Sequence, residues 1–394
     1  MVERAGCRRH PEFSGAGMSA RARERLLDDL SRLALIGQTR REFFDEAAAR
    51  LRRVVPFDGA CWHTLDPGSH LITQHHLQGL PDAFPVVAHN EYATVDVNKF
   101  ADLARAPRRA ATLLEATEGH PERSPRFRDL LSNVGLGPEL RSAFVADGST
   151  WGALILVREA GKPDFSDAEV DALDKASHLF ARAVRRGLVA EATEDVAALP
   201  EAPGVVELDA AGAPVRVSST AAPLLAQLSG ESEEAGFRSA AIQAMASATR
   251  AAIASGALDL PSSTVKTPAG SWLVLHGALL GRERSQHVAV FIQRAHPMLV
   301  APLLLKAYGL TARELEVAQL TFRGATAAQA AQRLGISVHT VNDHLKAIYD
   351  KTGAHTRGEL SATLFFGEHL PRIQNRVAVG DDASFVDAPR PRKA

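Results

Sequence analysis

Four polar residues recur at helical spacing near the end of the chain. They are His339, Asn342, Asp343 and Lys346, in the stretch VHTVNDHLKAIYDKT that starts at Val338. Side chains three and four residues apart share one face of an α-helix. An asparagine can form two hydrogen bonds with adenine, an aspartate can accept one from cytosine, and a lysine can donate to guanine. This face therefore offers hydrogen bonding to the edges of bases.

The opposite face of the same stretch is apolar, and this fixes which side faces outward. Val338, Val341, Leu345, Ile348 and Thr352 step by 3, 4, 3 and 4 residues. They share one side and must pack on a neighbouring helix. The polar residues, with Thr340 near the N-terminal edge, are then predicted to face solvent.

The residues ahead of this stretch predict a helix-turn-helix. The short helix AAQAAQRL is followed by only GIS, and Ile336 in that turn can bury against the first helix. Helix starts are marked by Thr311 with Glu314, by Thr326 with Gln329, by Ser337, and by Thr356 with Glu359. Gly324, Gly335 and Gly353 stand at helix ends. We expect four short helices.

The major groove is about 12 Å wide and admits one such helix. Contacts to phosphates would come from cations and from backbone N–H groups at the helix starts of Thr326 and Ser337. The cations are Arg313, Arg323, Lys346, Lys351 and Arg357. From residue 306 to 372 there are eight Lys and Arg against six Asp and Glu, a formal +2, which predicts modest affinity of a monomer and a need for dimers. The alternative is that these polar residues are only the solvated face of an ordinary helical module.

The composition is that of a folded, multidomain protein. The 394 residues exceed one hydrophobic core, and 45% are hydrophobic and 23% charged. A formal net charge of -1 means that any attraction for nucleic acid is local. Two cysteines are too few for a disulfide framework, and the sequence lacks an apolar run that could serve as a signal or span a membrane. We expect a cytoplasmic protein with no membrane partner.

Hydrophobic patterns predict a multidomain α+β region followed by an all-α helix-turn-helix domain. Two helices, two hairpins and a helix that starts at Ser166 form the first unit; the part from 80 to 135 could not be assigned. Strand, turn, strand, a helix over 236–256 and three further strands form the second unit. The expected divisions are a disordered N-terminus 1–19, a sheet domain 21–189, a linker 190–202, a second sheet domain 203–295, a linker 296–308, the helical domain 309–372 and a flexible tail 373–394.

The sequence from Leu310 to Leu360 resembles the DNA-binding domain of LuxR-type transcriptional regulators. The matching residues are Leu310, Thr311, Arg313, Glu314, Val317, Gly324, Ala330, Leu334, Ile336, Ser337, Thr340, Val341, His344, Ile348, Lys351 and Arg357. The resemblance implies that the helix from Val338 is the recognition helix, and that the last helix, 357–366, makes a dimer contact through Leu360, Leu364 and Phe365. Asn342 departs from the family, many of whose members have a basic residue there. Asp343 adds a negative charge near the groove.

The two sheet domains also resemble known families. Residues 21–189 look like a GAF domain and residues 203–295 look like a PAS domain. The resemblance implies a sensory region that responds to a small-molecule or redox signal. Members of these families bind small molecules, haem or flavin, or mediate dimerisation. The resemblance leaves the effector open, because fold alone does not choose a ligand.

Two further groups of residues have a possible binding chemistry. Cys61 and His63 alternate onto one strand face, and Gln74 and His76 lie across from them if DPGS is the turn. A thiolate and imidazoles can bind zinc or haem iron, but a buried cysteine with hydrogen-bonded histidines is the simpler interpretation. Trp62, Trp151 and Trp272 could line ligand pockets or simply pack in the core. We therefore assign no metal.

A regulator of transcription is the function that the sequence predicts. The implied partners are a double-stranded DNA operator with inverted half-sites, a second copy of the chain, and RNA polymerase. A phosphate-binding loop, a nucleophile elbow and a zinc-binding helix motif are all missing from the sequence, so we expect no enzyme. The alternatives are a sensor that works through protein partners and a signalling enzyme of an unrecognised type.

Overall fold

The structure is a computed structural model that describes residues 19–36, 38–190, 199–280 and 287–361, together with the backbone at 378–379 and 385–386. It contains two five-stranded antiparallel sheets with helices around them, followed by a helical segment. This agrees with the predicted order of an α+β region and an all-α domain. Among the described residues, no helix is both long and apolar enough to span a lipid bilayer.

The first unit is built on the sheet β2-β1-β5-β4-β3. Its elements are α1 Ala20–Leu33, α2 Arg40–Leu51, β1 Gly59–Leu65, β2 Ile72–Gln78, α3 Phe84–Ala93, α4 Phe100–Arg105, β3 Ala110–Thr112, α5 Leu113–Ala116, β4 Leu136–Ala146, β5 Ser149–Glu159 and α6 Asp167–Ala190. Both predicted hairpins, β1 with β2 and β4 with β5, are confirmed. The unassigned part contains α3, α4, β3 and α5.

Helices α1, α2 and α6 cover one face of this sheet. The ring centres of Phe44 and Trp62 are 5.1 Å apart, and those of Trp62 and Phe180 are 5.4 Å apart. The predicted capping box of Thr39 and Glu42 starts α2. At Gly187 of α6 a Cβ atom would lie 2.8 Å from Cγ of Arg40, so a glycine is what lets α6 approach α2 this closely.

The other face of the sheet is covered by α3 and α4 and carries buried ion pairs that the sequence did not predict. Arg126 donates to Glu139 at 2.8 Å, and Arg141 donates to Glu91 at 2.7 Å. The guanidinium of Arg141 also stacks on the ring of Phe100. Charged groups are buried only when they are paired, and each of these arginines has its carboxylate.

The second unit repeats the same strand arrangement. Its elements are β6 Gly204–Leu208, β7 Pro214–Val217, α7 Ala221–Ser229, α8 Glu233–Phe237, α9 Ala240–Ala254, β8 Ser262–Lys266, β9 Trp272–Leu279 and β10 Val288–Arg294. The sheet order β7-β6-β10-β9-β8 has the neighbour relations of the first sheet. All five strands were predicted; α7 was not, and the predicted helix 236–256 is divided at Ser239 into α8 and α9.

The two units pack against each other. Ala240 and Ala244 of α9 are buried in the core beside α3 and α4. The side-chain amide of Gln74 donates to the carbonyl oxygen of Lys266 at 3.0 Å. Lys266 in turn donates from Nζ to the carbonyl oxygen of Leu188, in the last turn of α6, at 2.8 Å. The second sheet is therefore fixed to the C-terminal end of α6.

The segment 296–308, predicted as a linker, forms the helix α10 Pro297–Ala307. Val300 and Ala307 belong to the core of the first unit, which also includes Trp272 of β9. Ala301 and Leu305 belong to the core of the helical domain. One helix thus contributes side chains to both cores.

The described residues of the C-terminal domain form four helices. They are α11 Ala312–Phe322, α12 Ala327–Leu334, α13 Val338–Thr352 and α14 Arg357–Ser361. The capping boxes at Thr311 and Thr326 and the Ser337 cap are formed. In the C-terminal tail, β11 Ala378–Val379 pairs with β12 Phe385–Val386.

Candidate nucleic-acid interface

The turn between α12 and α13 is built by local hydrogen bonds. Gly335 ends α12 with φ +65°, a conformation that favours glycine, and its N–H donates to the carbonyl of Ala331. The N–H of Ile336 donates to the same carbonyl at 3.1 Å. Ser337 then accepts from the N–H of Thr340 at 3.0 Å and starts α13. The short turn fixes the angle between the two helices.

The apolar side of α13 packs inward, with one exception. Val341 and Ile348 are fully buried in the domain core, Thr352 is buried and Leu345 is partly buried. Val338 was predicted to lie on this buried side, but it is 44% exposed. It is the first residue of α13, and the described part of the chain leaves almost half of its side chain open to solvent. Val338 is therefore on the open edge of α13.

The polar side of α13 faces solvent, as the sequence predicted. The side chains of His339 and Asp343 are 89% and 65% exposed, and His339 Nε2 lies 3.6 Å from Asp343 Oδ2. Asn342 and Lys346 are exposed, and so is Asp350, one turn beyond Lys346. The described parts of the two sheet domains do not cover this face. Within the described residues, this face of α13 is open to solvent.

The starts of α12 and α13 are capped as the sequence predicted. Thr326 accepts from the N–H of Gln329 at 3.2 Å, and its own N–H donates to the Gln329 side chain at 2.9 Å. The hydroxyls of Ser337 and Thr340 lie 2.8 Å apart. The remaining first-turn N–H groups of α12 and α13 have no partner inside their own helices.

The cations predicted to contact phosphates differ in their surroundings. Lys346, Arg323 and Arg357 are exposed. Arg313 donates to Glu316 and to the carbonyl of Leu334, both at 2.6 Å. Lys351 forms an ion pair with Glu314. Arg313 and Lys351 thus stabilise the domain itself, and a role of either at phosphates stays a prediction.

The Glu314 carboxylate contacts both the ammonium group of Lys351 and the backbone N–H of Thr311. Burial would raise its pKa, but hydrogen bonds from Lys351 and from the backbone of Thr311 outweigh burial and hold the pKa below its ordinary value. The carboxylate is the partner of both the helix start and the lysine. The ion pair between Glu314 of α11 and Lys351 of α13 therefore stabilises the packing of these two helices.

Of the three residues predicted to make a dimer contact, the described part of the chain includes only Leu360. Leu360 is fully buried in the domain core, beside Ile348 and Ala354. Leu364 and Phe365 lie outside the described residues. The dimer contact stays a prediction.

The metal candidates do not assemble as the sequence suggested. Trp62 pairs with His76 and His63 pairs with His75, so the register places His76 on the opposite face from Cys61 and His63. His76 accordingly meets Asp45 at 2.7 Å and Phe44, whereas Cys61 Sγ lies 3.9 Å from His63 Nδ1. Gln74 lies across from Thr64. Among the described residues, no three His, Cys, Asp or Glu side chains are grouped to hold a metal ion.

The three tryptophans have different positions. Trp62 is fully buried in the aromatic core, where its indole Nε1 donates to Gln78 at 3.4 Å. Trp151 and Trp272 line a cavity between the two sheet units. One of the three is thus a core residue, and two combine core packing with a cavity wall.

Comparison with known proteins assigns the helical domain. Residues 309–363 match the family described as bacterial regulatory proteins, luxR family. Over 62 residues the chain is 40% identical to the HTH-type transcriptional activator RamA of Corynebacterium glutamicum, which covers 16% of this chain and 22% of RamA. The chain thus matches about a fifth of the length of this relative.

Some solved structures resemble the chain only distantly. The GAF domain/HD domain protein of Geobacter sulfurreducens has a TM-score of 0.29 and 22% identity, covering 41% of this chain and 98% of that one. VqmA of Vibrio cholerae, in complex with ligand and DNA, has a TM-score of 0.24 and 21% identity, covering 45% of this chain and 90% of that one. These scores establish no shared arrangement of whole chains. The segment 309–363 thus matches the luxR family, and its described residues form a helix-turn-helix that follows the two sheet units.

Proposed function

We propose that the chain is a dimeric, sequence-specific DNA-binding regulator of transcription. The observation that carries the proposal is the open polar face of α13, which Asn342 and Lys346 share, on a domain that matches the luxR family. A solvated helix face of this width fits the major groove. The relative that matches this domain is itself named a transcriptional activator.

We further propose that the two sheet units are GAF-like and PAS-like sensory domains. Both have five antiparallel strands in the same neighbour order, with helices against the sheets. The helix α10 has side chains in the core of the first unit and in the core of the helical domain. A change in how α10 packs would therefore move the DNA-binding domain. An effector acts on DNA binding only if it favours one of these packings over another.

Two copies are needed to read an operator with inverted half-sites about one helical turn apart. The small positive surplus of residues 306–372 supports this requirement, since one domain neutralises few phosphates. Leu364 and Phe365 are the residues that we propose for the contact between copies, with RNA polymerase as a further partner.

Selection of bound sequences from random double-stranded oligonucleotides by the purified full chain tests the function. The expected result is a selected site with inverted half-sites, whose affinity falls linearly with salt on logarithmic axes. A sensor that works through protein partners would select no sequence and show no such salt dependence, and this result would contradict the proposal. Turnover of a nucleotide or metabolite that persists in Lys346→Ala would favour an enzyme instead.

A further inference from the structure

The carboxylate of Asp343 accepts no hydrogen bond from the described residues. Its side chain is 65% exposed on the polar face of α13, and Nε2 of His339 lies 3.6 Å from its Oδ2, which is too far for a hydrogen bond. Glu314 differs, because its carboxylate accepts from both Lys351 and the N–H of Thr311. The acceptor sites of Asp343 are therefore open to a molecule that contacts this face.

Asp343 lies in the half of α13 that would contact bases. It is the sixth residue of the helix, which begins at Val338, and it follows the exposed Asn342. The N-terminal residues of a helix in the major groove face the edges of bases. A carboxylate turned toward the DNA backbone would meet phosphates of the same charge, so contact with a base is the more favourable placement.

The polar face of α13 has no excess of positive charge that could hold DNA of any sequence. With histidine counted as neutral, the formal charges of Lys346 and Asp343 cancel, and the exposed Asp350 follows with a further negative charge. Affinity from this face must then come from matched hydrogen bonds rather than from a general attraction to phosphates. A carboxylate that meets a donor on a base meets this requirement.

The four bases differ in what they offer to a carboxylate. An ionised carboxylate accepts hydrogen bonds and donates none. In the major groove guanine presents two acceptors and thymine presents an acceptor and a methyl group, whereas cytosine presents an N–H donor. Adenine presents a donor beside an acceptor, so a carboxylate gains one contact there and is repelled at the other. Cytosine is therefore the base that an unpaired carboxylate favours most.

We propose that Asp343 is a specificity-determining residue, which selects cytosine at one position of each operator half-site and excludes guanine and thymine there. The proposal rests on the proposed function, since it requires α13 to enter the major groove. Exclusion carries much of the selectivity, because a carboxylate that loses its water next to an acceptor stays unpaired. The same charge weakens binding to DNA of unrelated sequence. Asp343 thus lowers affinity for most sequences and raises the preference for one.

Selection of bound sequences from random double-stranded oligonucleotides, with the unaltered full chain and with Asp343→Asn, tests the proposal. Asparagine has nearly the same shape, but it removes the charge and adds a donor, so it can pair with adenine. We expect one position of each half-site to hold cytosine with the unaltered chain. With Asp343→Asn the same position should accept several bases or change to adenine.

Fluorescence anisotropy then compares the selected operator with one in which guanine replaces that cytosine and the paired base is changed to match. The affinity of the unaltered chain should fall about tenfold or more. The affinity of Asp343→Asn should fall by no more than about threefold, because the variant no longer places a charge against the acceptors of guanine.

Asp350→Asn is the matched control, because it removes the same charge from an exposed position further along α13. Both variants should bind DNA of unrelated sequence about twofold to threefold more tightly at low salt, whereas only Asp343→Asn should lose the preference for cytosine. Both replace exposed side chains, so each should keep the thermal midpoint of the unaltered chain.

Three results would overturn the proposal: the same selected sites with Asp343→Asn as with the unaltered chain, a changed position that does not hold cytosine, or an equal loss of the cytosine preference in Asp350→Asn. In each of these the unaltered chain still selects an operator, so the proposed function stands. If the unaltered chain selects no sequence at all, the proposed function fails, and this inference fails with it.

Discussion

The ammonium group of Lys351 lies 2.8 Å and 2.6 Å from the two carboxylate oxygens of Glu314. Glu314 also accepts a hydrogen bond from the N–H of Thr311 at 2.6 Å. One carboxylate therefore caps the N-terminus of α11 and forms the ion pair that holds α13 against α11. The recognition helix proposed here is therefore held by its C-terminal half, away from the residues that face solvent. Stability and DNA contact are assigned to different residues of α13.

The Lys351→Met variant should be less stable than the unaltered chain at neutral pH, and equally stable in acid. The pKa of Glu314 lies below its ordinary value in the folded chain, so the pairing stabilises above the ordinary carboxyl pKa and is lost as pH falls through the lower folded value. We expect a cost of about 1 kcal/mol at pH 7, since the lysine is partly exposed, and convergence of the two stabilities below about pH 4. Urea unfolding of both proteins at several pH values between neutral and acid measures the two free energies of unfolding. Lys346→Met, on the exposed side of the same helix, should unfold like the unaltered chain at every pH.

Asn342→Ala and Lys346→Ala should weaken binding to the selected operator by different routes. Loss of a bidentate contact from Asn342 would cost about 1 to 3 kcal/mol at one base position and relax the preference there. Loss of Lys346, if it contacts a phosphate, would weaken all sequences alike and lower the salt slope by about one. Fluorescence anisotropy at several salt concentrations separates the two. As a control, Lys175→Ala removes a positive charge from α6 and should leave DNA binding unchanged. If Asn342→Ala and Lys346→Ala both bind the operator as tightly as the unaltered chain, the polar face of α13 is not the DNA-binding face.

Val338 should add an apolar contact to DNA recognition. Its side chain is exposed and lies one turn before Asn342, so its methyl groups can meet the C5-methyl group of a thymine. Val338→Ala should lower affinity for a thymine-containing operator by about threefold to tenfold, with little change in thermal midpoint. Replacing that thymine with uracil should cause the same loss in the unaltered chain and no further loss in the variant. Additive losses from the two changes would mean that the methyl groups do not touch.

Acid should weaken the first unit through His63. Burial, followed by the charges of His75 and Arg141, lowers the pKa of His63 well below its ordinary value. Below about pH 6.5 His63 is protonated in the unfolded chain but stays neutral in the folded chain. The free energy of unfolding therefore decreases as pH falls. One such group contributes a slope of up to about 1.4 kcal/mol per pH unit. His63→Gln should show a shallower loss of stability between neutral and mildly acidic pH than the unaltered chain. An equal slope in the variant would mean that His63 takes up its proton while the chain is folded.

Local features were predictable from the sequence because the groups that decide them are close neighbours along the chain. The helix starts at Thr39, Thr311 and Thr326 form as predicted, since a side chain three residues away satisfies the same N–H groups. The hairpin of β4 and β5 follows from alternation and a turn at Asp147 and Gly148. The outward face of α13 follows from the spacing of Val341 and Ile348.

Features that depend on register or on distant packing were not predictable. A change of one residue in the pairing of β1 with β2 decides whether His75 or His76 shares a face with His63, and the sequence does not fix that pairing. Lys351 looked like a phosphate contact because its partner, Glu314, is far away in the sequence.

The sequence by itself thus determined that α+β sheet units precede an all-α domain, and which residues form the polar face of α13. Only the tertiary structure decided that Leu360 is buried, that Val338 is exposed, that α10 joins two cores and that Trp151 lines a cavity with Arg40 and Lys266. The physical reason is that hydrogen bonds within one helix or hairpin are settled by residues a few positions apart. Burial, in contrast, is settled by whichever distant element covers a surface.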